Sequence, residues 1–156
     1  MKTLIVYASS HGTVRWCAEE IQSLSDGEVH LVDLKKEKDP DLSGFSRVVI
    51  GASVHAGRLS GKVAKFIQRN ETELRDTTLG LFLCSMEKSR EQFDDLYPES
   101  LRSLAAAQGI FGGRMEPEKL NPLLRFVVRK VQGSLEAKDT VDRGAIEKFV
   151  NQLELA

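Results

Sequence analysis

The chain has 156 residues, a formal net charge of −1 and a hydrophobic fraction of 41%. That length fits one domain with a full core, and 22 basic against 23 acidic residues leave no global case for nucleic acid. No apolar run approaches the ~20 residues of a membrane span and no leader pattern precedes the first strand, so a single cytoplasmic domain over residues 1–156 is expected.

Lys2 to Ala8 (KTLIVYA) is a β-rich apolar run of strand length. Ser9-Ser10-His11-Gly12-Thr13-Val14 follows and leads into a helical pattern from about Thr13 to Leu24. A strand feeding a small, hydroxyl-rich turn into a helix suits a phosphate. The first helical N–H groups lack internal partners, and the helix dipole favours an anion there. Gly12 allows close backbone approach or a positive φ. The turn is neither the three-glycine dinucleotide fingerprint nor a Walker loop. A Ser/Gly-rich turn that binds nothing gives the same pattern.

Val14, Cys17, Ala18, Ile21 and Leu24 share one helical face, and Trp16 falls nearly opposite, as a surface residue or a contact near the turn. Glu28 to Leu34 alternates like a strand with one more exposed face, and Lys35 to Gly44 reads as a charged, solvated loop. Arg47 to Ala52 (RVVIGA) has the continuous apolar character of a buried parallel strand. Ser53 to Arg58 follows it as a loop, and Ser60 caps a second helix marked by Leu59, Val63, Phe66 and Ile67. Thr77 to Cys84 is another buried strand, opening into Ser85-Met86-Glu87-Lys88. A third helix is expected over Ser89 to Gln108, restarted at Pro98, and a fifth strand over Gly109 to Met115.

Asn121-Pro122 reads as an N-cap and first helical residue. Leu123, Leu124, Val127, Val128 and Val131 then form an apolar face, with Arg125 and Arg129 opposite, and Gly133 ends the helix. That face either packs on the domain or engages an apolar ligand or a membrane surface. Glu136 to Asp139 is a charged connection, and Val141 to Leu155 is the last helix. Cys17 and Cys84 are the only cysteines. With no C-x-x-C and no His cluster, two reduced buried thiols and no metal site are expected.

Five strands alternating with helices demand a parallel sheet covered on both faces. Ligands bind such sheets at the carboxyl ends of the strands, at the switch point. The loops there are Ser9–Val14, Ser53–Arg58 and Ser85–Lys88. A response-regulator receiver is disfavoured, because its acidic positions here hold Ala8-Ser9-Ser10 and Ala52-Ser53.

At these loops, through a first strand ending in Y-x-S-S-x-G-T, the chain resembles the flavodoxin family. The resemblance implies an α/β three-layer sandwich with a five-stranded parallel sheet in the order 2-1-3-4-5 and FMN as cofactor. Ser9, Ser10, His11, Gly12, Thr13 and Val14 would form the phosphate loop. Ser53, Val54, His55, Ala56 and Gly57 would line one side of the flavin, and Ser85, Met86 and Glu87 the other. Val14 stands where the family usually has a hydroxyl, and His55 is the only ring side chain in the flavin loops.

Within the family, Arg47-Val48-Val49-Ile50-Gly51-Ala52-Ser53 followed by Val54-His55-Ala56-Gly57 is similar to the menaquinone-dependent protoporphyrinogen IX dehydrogenases of heme biosynthesis. The segment 115–138 sits where those enzymes carry a helical insertion. The resemblance implies a quinone-linked oxidoreductase acting on a porphyrinogen, with peripheral contact to the inner face of the membrane through the 122–132 helix. No catalytic acid or base stands out. The alternative is an electron-transfer flavodoxin that serves redox proteins and has no small substrate of its own. Such carriers are often strongly acidic, and a charge of −1 is not.

Overall fold

The computed structural model describes residues 1–55, 57–115, 121–132 and 138–155. Five long strands form its parallel sheet: β1 (Lys2–Tyr7), β2 (Glu28–Asp33), β3 (Arg47–His55), β5 (Thr78–Cys84) and β6 (Ala105–Ile110). They lie in the order β2-β1-β3-β5-β6, so the long strands alone follow the expected 2-1-3-4-5. A two-residue strand, β4 (Arg58–Leu59), adds an antiparallel hairpin to the end of β3. Strands β7 (Arg114–Met115) and β8 (Lys138–Asp139) make a separate antiparallel pair, where only a charged connection was expected around Asp139.

Alternate strand residues point to opposite faces, and each face has its own core. On one, Leu4, Val6, Val48, Ile50, Leu79, Leu81 and Leu83 pack with Val63, Phe66 and Ile67 of α2 (Gly61–Arg69), and with Leu74, Phe93, Tyr97 and Leu101. On the other, Ile5, Tyr7, Val49 and Phe82 meet α1 (Thr13–Leu24) through Val14, Cys17, Ala18 and Ile21. Ile146, Phe149 and Val150 of α7 (Arg143–Gln152) join them there. Ser60 caps α2 as expected, its hydroxyl accepting from the Lys62 N–H at 3.4 Å. Asp142 caps α7 through the Ala145 N–H at 3.0 Å. A short helix, α3 (Glu71–Arg75), fills a stretch to which the sequence assigned no element.

The expected helix over Ser89 to Gln108 is broken into α4 (Arg90–Leu96) and α5 (Glu99–Arg102), and its last residues belong to β6. Tyr97, before Pro98, is extended at φ −91° and ψ 132°, as a residue preceding proline is driven to be. Its buried hydroxyl donates to the Phe82 carbonyl at 2.7 Å, fixing the break against the sheet. Pro98 itself is the N-cap of α5, not its first helical residue.

Ala105-Ala106-Ala107 has helix propensity but forms the edge strand, so the fifth strand begins earlier than Gly109 and ends at Ile110. Packing overrides propensity here. A Cβ at Gly109 would stand 2.4 Å from the Phe111 ring and 3.1 Å from Phe149, so the glycine makes room for the aromatic cluster under β6.

Asn121 caps α6 (Pro122–Gln132), its Oδ1 accepting from the Leu124 N–H at 2.8 Å. The apolar side of α6 is open to solvent at Leu123 (71% exposed), Phe126 (60%) and Val127 (45%). Packing of that face on the domain is therefore not what these residues do. The side chains of Val128 and Val131, Gly133, and most of the 115–138 segment outside α6 lie outside the described residues. Among the described residues, no helix is long and apolar enough to cross a membrane.

Candidate functional site

The site is a cavity of about 870 Å³ at the carboxyl ends of β1, β3 and β5. β1 is buried through Tyr7 and Ala8 and delivers the chain to Ser9. Gly12, at φ 87° and ψ −11°, is the N-cap of α1 and supplies no side-chain cap. The turn is closed instead by Ser9, whose Oγ accepts from the Gly12 N–H at 3.0 Å. The first backbone bond into the helix runs from the Trp16 N–H to the Gly12 carbonyl. The N–H groups of the first turn thus lack helical partners, which is the donor set an anion requires. Ser10 and His11 are exposed at this turn. Val14 borders the cavity, but its side chain is buried beside Cys17 and offers no hydroxyl.

The second expected loop is mostly strand. Ser53, Val54 and His55 continue β3, and Gly57, at φ 74°, turns the chain so that Val54 pairs with Leu59. A Cβ on Gly57 would meet nothing within 4 Å, and the residue lies on open cavity. Ser53 and Val54 line the same space. The side chain of His55, and all of Ala56, fall outside the described residues.

The third loop holds itself in place. Ser85 donates to Gln92 Oε1 at 2.6 Å and accepts from the Glu87 N–H at 3.3 Å. Met86 is 41% exposed on the cavity. Its sulfur lies against Gly113, where a Cβ would come within 2.8 Å of it, and accepts weakly from the Thr140 hydroxyl at 3.8 Å. A polarisable thioether so placed suits the face of an aromatic ring.

Further residues gather at or beside the cavity. Lys35, read as part of a solvated charge run, donates through Nζ to Ser10 Oγ at 3.1 Å and sets a cation beside the turn. Trp16 is not a bystander: it lines the cavity with the Arg114 and Arg143 guanidinium carbons 4.3 and 5.0 Å from its ring centre. Its position three residues after Thr13 puts the two on neighbouring positions of α1, a spacing legible in the sequence. Arg114 carried no local signal. Arg114 Nε lies 3.1 Å from Asp139 Oδ2. Asp139 is held below the usual carboxylate range by the Val141 N–H and then by Arg114 and Arg143. Cys84 also reaches the cavity, and its sulfur lies 3.6 Å from that of Cys17; both are buried free thiols. Among the described residues, no group of three or more His, Cys, Asp or Glu is placed to hold a metal.

This donor set fits a flavin mononucleotide. An uncapped helix start lies at the cavity with Ser9, Ser10 and Thr13, and Lys35 is held on Ser10, a set that one phosphate would suit. The cavity is within the ~300–1,000 Å³ typical of small-molecule sites. Val54, Gly57, Cys84 and Met86 supply apolar surface between β3 and the third loop.

A family model for the flavodoxin domain matches residues 4–142. The comparison with curated proteins returns no match. Among solved structures, oxidised flavodoxin 2 from Bacillus cereus aligns over 99% of this chain and 98% of its own, at 17% identity and a TM-score of 0.65. Flavodoxin 1 from the same organism aligns over 99% and 97%, at 16% identity and a TM-score of 0.63. Rubredoxin:oxygen oxidoreductase from Desulfovibrio gigas aligns over 99% of this chain but 34% of its own length, at 14% identity and a TM-score of 0.60. At these identities the likeness is one of fold.

Proposed function

Because the chain belongs to the flavodoxin-domain family, with FMN as its cofactor, we propose that it is an FMN-dependent oxidoreductase. It takes electrons from a reduced organic substrate of the porphyrinogen type and passes them to a quinone. The first turn of α1, with Ser9, Ser10, Thr13 and Lys35, holds the phosphate. Ser53, Val54 and Gly57 line one side of the ring system, and Ser85, Met86 and Glu87 approach the other, as the resemblance implies also for His55 and Ala56. Bound FMN supplies the redox chemistry. The chain positions it, and among the described residues no side chain is placed as an obligate acid or base.

One observation carries the enzyme reading over that of a carrier with no substrate of its own: the exposed apolar side of α6. Leu123, Phe126 and Val127 stand in solvent on a helix that also bears Arg129 and Lys130 in its last turn. An amphipathic basic helix binds lipid interfaces and the apolar molecules dissolved in them, with ~1 kcal/mol per Lys or Arg near an anionic surface. A protein shuttling electrons between soluble partners gains nothing from it. On this reading the helix brings the enzyme to the membrane surface, where it works peripherally.

The test is anaerobic. FMN-loaded protein mixed with protoporphyrinogen should lose flavin absorbance as porphyrin fluorescence rises, and a menaquinone analogue should restore the flavin. Arg129→Glu with Lys130→Glu should reduce co-sedimentation with anionic liposomes and slow quinone turnover while FMN stays bound. Flavin that is inert to porphyrinogen and quinone, yet exchanges electrons with a soluble redox protein, would establish the carrier instead.

A further inference from the structure

The Trp16 edge of the cavity borders the first turn of α1, and its charges are unevenly satisfied. The only tryptophan of the chain gathers two guanidinium groups, from β7 and from the first residue of α7, elements far apart in sequence. A cation over an indole gains ~0.5–1 kcal/mol at an exposed site, enough to hold long side chains in place. One carboxylate, Asp139, serves this pair of cations, and it takes only Nε of Arg114. Among the described residues, the two terminal nitrogens of Arg114 meet no acceptor, and Arg143 has no carboxylate within 4 Å. The other acid at this edge, Glu19, is engaged by Arg15 at 2.8 Å. Two incompletely paired guanidinium groups thus flank Trp16, Arg114 on the cavity wall and Arg143 beside it. A planar fork of N–H donors matches a carboxylate.

We infer that Arg114 and Arg143, held at the Trp16 edge of the cavity, form an anion-recognition site that selects carboxylate-bearing electron donors over their uncharged analogues. This rests on the enzyme reading above and adds its substrate class. Trp16 is a positioning residue: it holds the cations and does not itself contact the charge.

Trp16 is also the reporter, since no other tryptophan contributes to the fluorescence. FMN-loaded protein is titrated with deuteroporphyrin IX, a stable dicarboxylate, and with its dimethyl ester, both in the same nonionic detergent. The acid should quench Trp16 with an affinity about tenfold above that of the ester, the fold-change of one charge-assisted hydrogen bond. Arg143→Gln should erase most of that preference and leave the ester unchanged, and Arg143→Lys should restore part of it. Arg114→Gln should act in the same direction, with a native circular dichroism spectrum as the control for β7–β8. Equal affinity of acid and ester in the wild type, or an Arg143→Gln variant that keeps the preference, overturns this site and leaves the oxidoreductase reading standing. Failure of both porphyrins to bind overturns the site and the porphyrinogen reading together.

Discussion

Replacing Gly12 with valine tests the turn proposed to hold the phosphate. Gly12 sits at φ 87°, in the left-handed region, where a residue with a Cβ costs ~1–2 kcal/mol and a β-branched one more. Its N–H closes the turn on Ser9. The turn is exposed, so the free protein can relax it at little expense to the fold. The strain then appears in cofactor binding, which needs the relaxed turn driven back. An expense of ~1–2 kcal/mol corresponds to an FMN affinity lowered about five- to thirtyfold for Gly12→Ala, and further for Gly12→Val. Quenching of FMN fluorescence reads the affinity, and a urea melt of the apoprotein reads the fold. An affinity within twofold of wild type for Gly12→Val would refute the reasoning and move the phosphate elsewhere.

Three further outcomes are expected. Lys35→Gln should weaken FMN binding by up to about fivefold, in keeping with an exposed charge worth ~1 kcal/mol or less, and should flatten the salt dependence of binding; an unchanged salt slope speaks against Lys35 as counter-charge. Gly51→Ala would set a Cβ 2.1 Å from the Phe82 ring, so the urea midpoint should fall by the equivalent of ~1–3 kcal/mol, and an unchanged midpoint would contradict the packing described. The Cys84 thiol is pushed well up by its hydrogen bond with Cys17 and by burial, and the Tyr97 phenol by burial. Both groups keep their protons in the fold at a pH where the unfolded chain loses them. Stability is therefore full below the ordinary thiol value of ~8.5 and falls as pH rises through it, with a further loss above ~10. Melting temperatures from pH 7 to 11 should show this, Cys84→Ala should delay the onset toward ~10, and an onset identical in that variant would refute the assignment.

The strand–turn–helix start was legible because it is local: its parts are contiguous, and each residue type declares its place in the turn. The residues that complete the site arrive through topology. Lys35 follows β2, which pairs with β1, so the loop after one strand meets the turn after its neighbour. Nothing in the charged run from Lys35 onward distinguishes that lysine from the next. Arg114 and Arg143 reach Trp16 from chain segments brought together by the β7–β8 pair and the start of α7. The alanines before Gln108 misled for a different reason. Their intrinsic preference is helical, but a small side chain is what an edge strand beside Phe111 and Phe149 requires, and packing decided. The apolar stripe on α6 was readable as a stripe, whereas its exposure was not, since periodicity says which residues share a face and not what covers it.

Recognition of a flavin through its single terminal phosphate, as proposed for this cavity, can be measured directly. The direct measurement is a set of equilibrium titrations of the apoprotein with FMN, riboflavin and FAD under identical conditions. FMN should bind one to a chain, and riboflavin, which lacks the phosphate that the α1 turn and Lys35 would meet, should bind more weakly by about tenfold or more. FAD should also bind more weakly, because its phosphate is not terminal. Riboflavin or FAD binding as tightly as FMN would contradict the account.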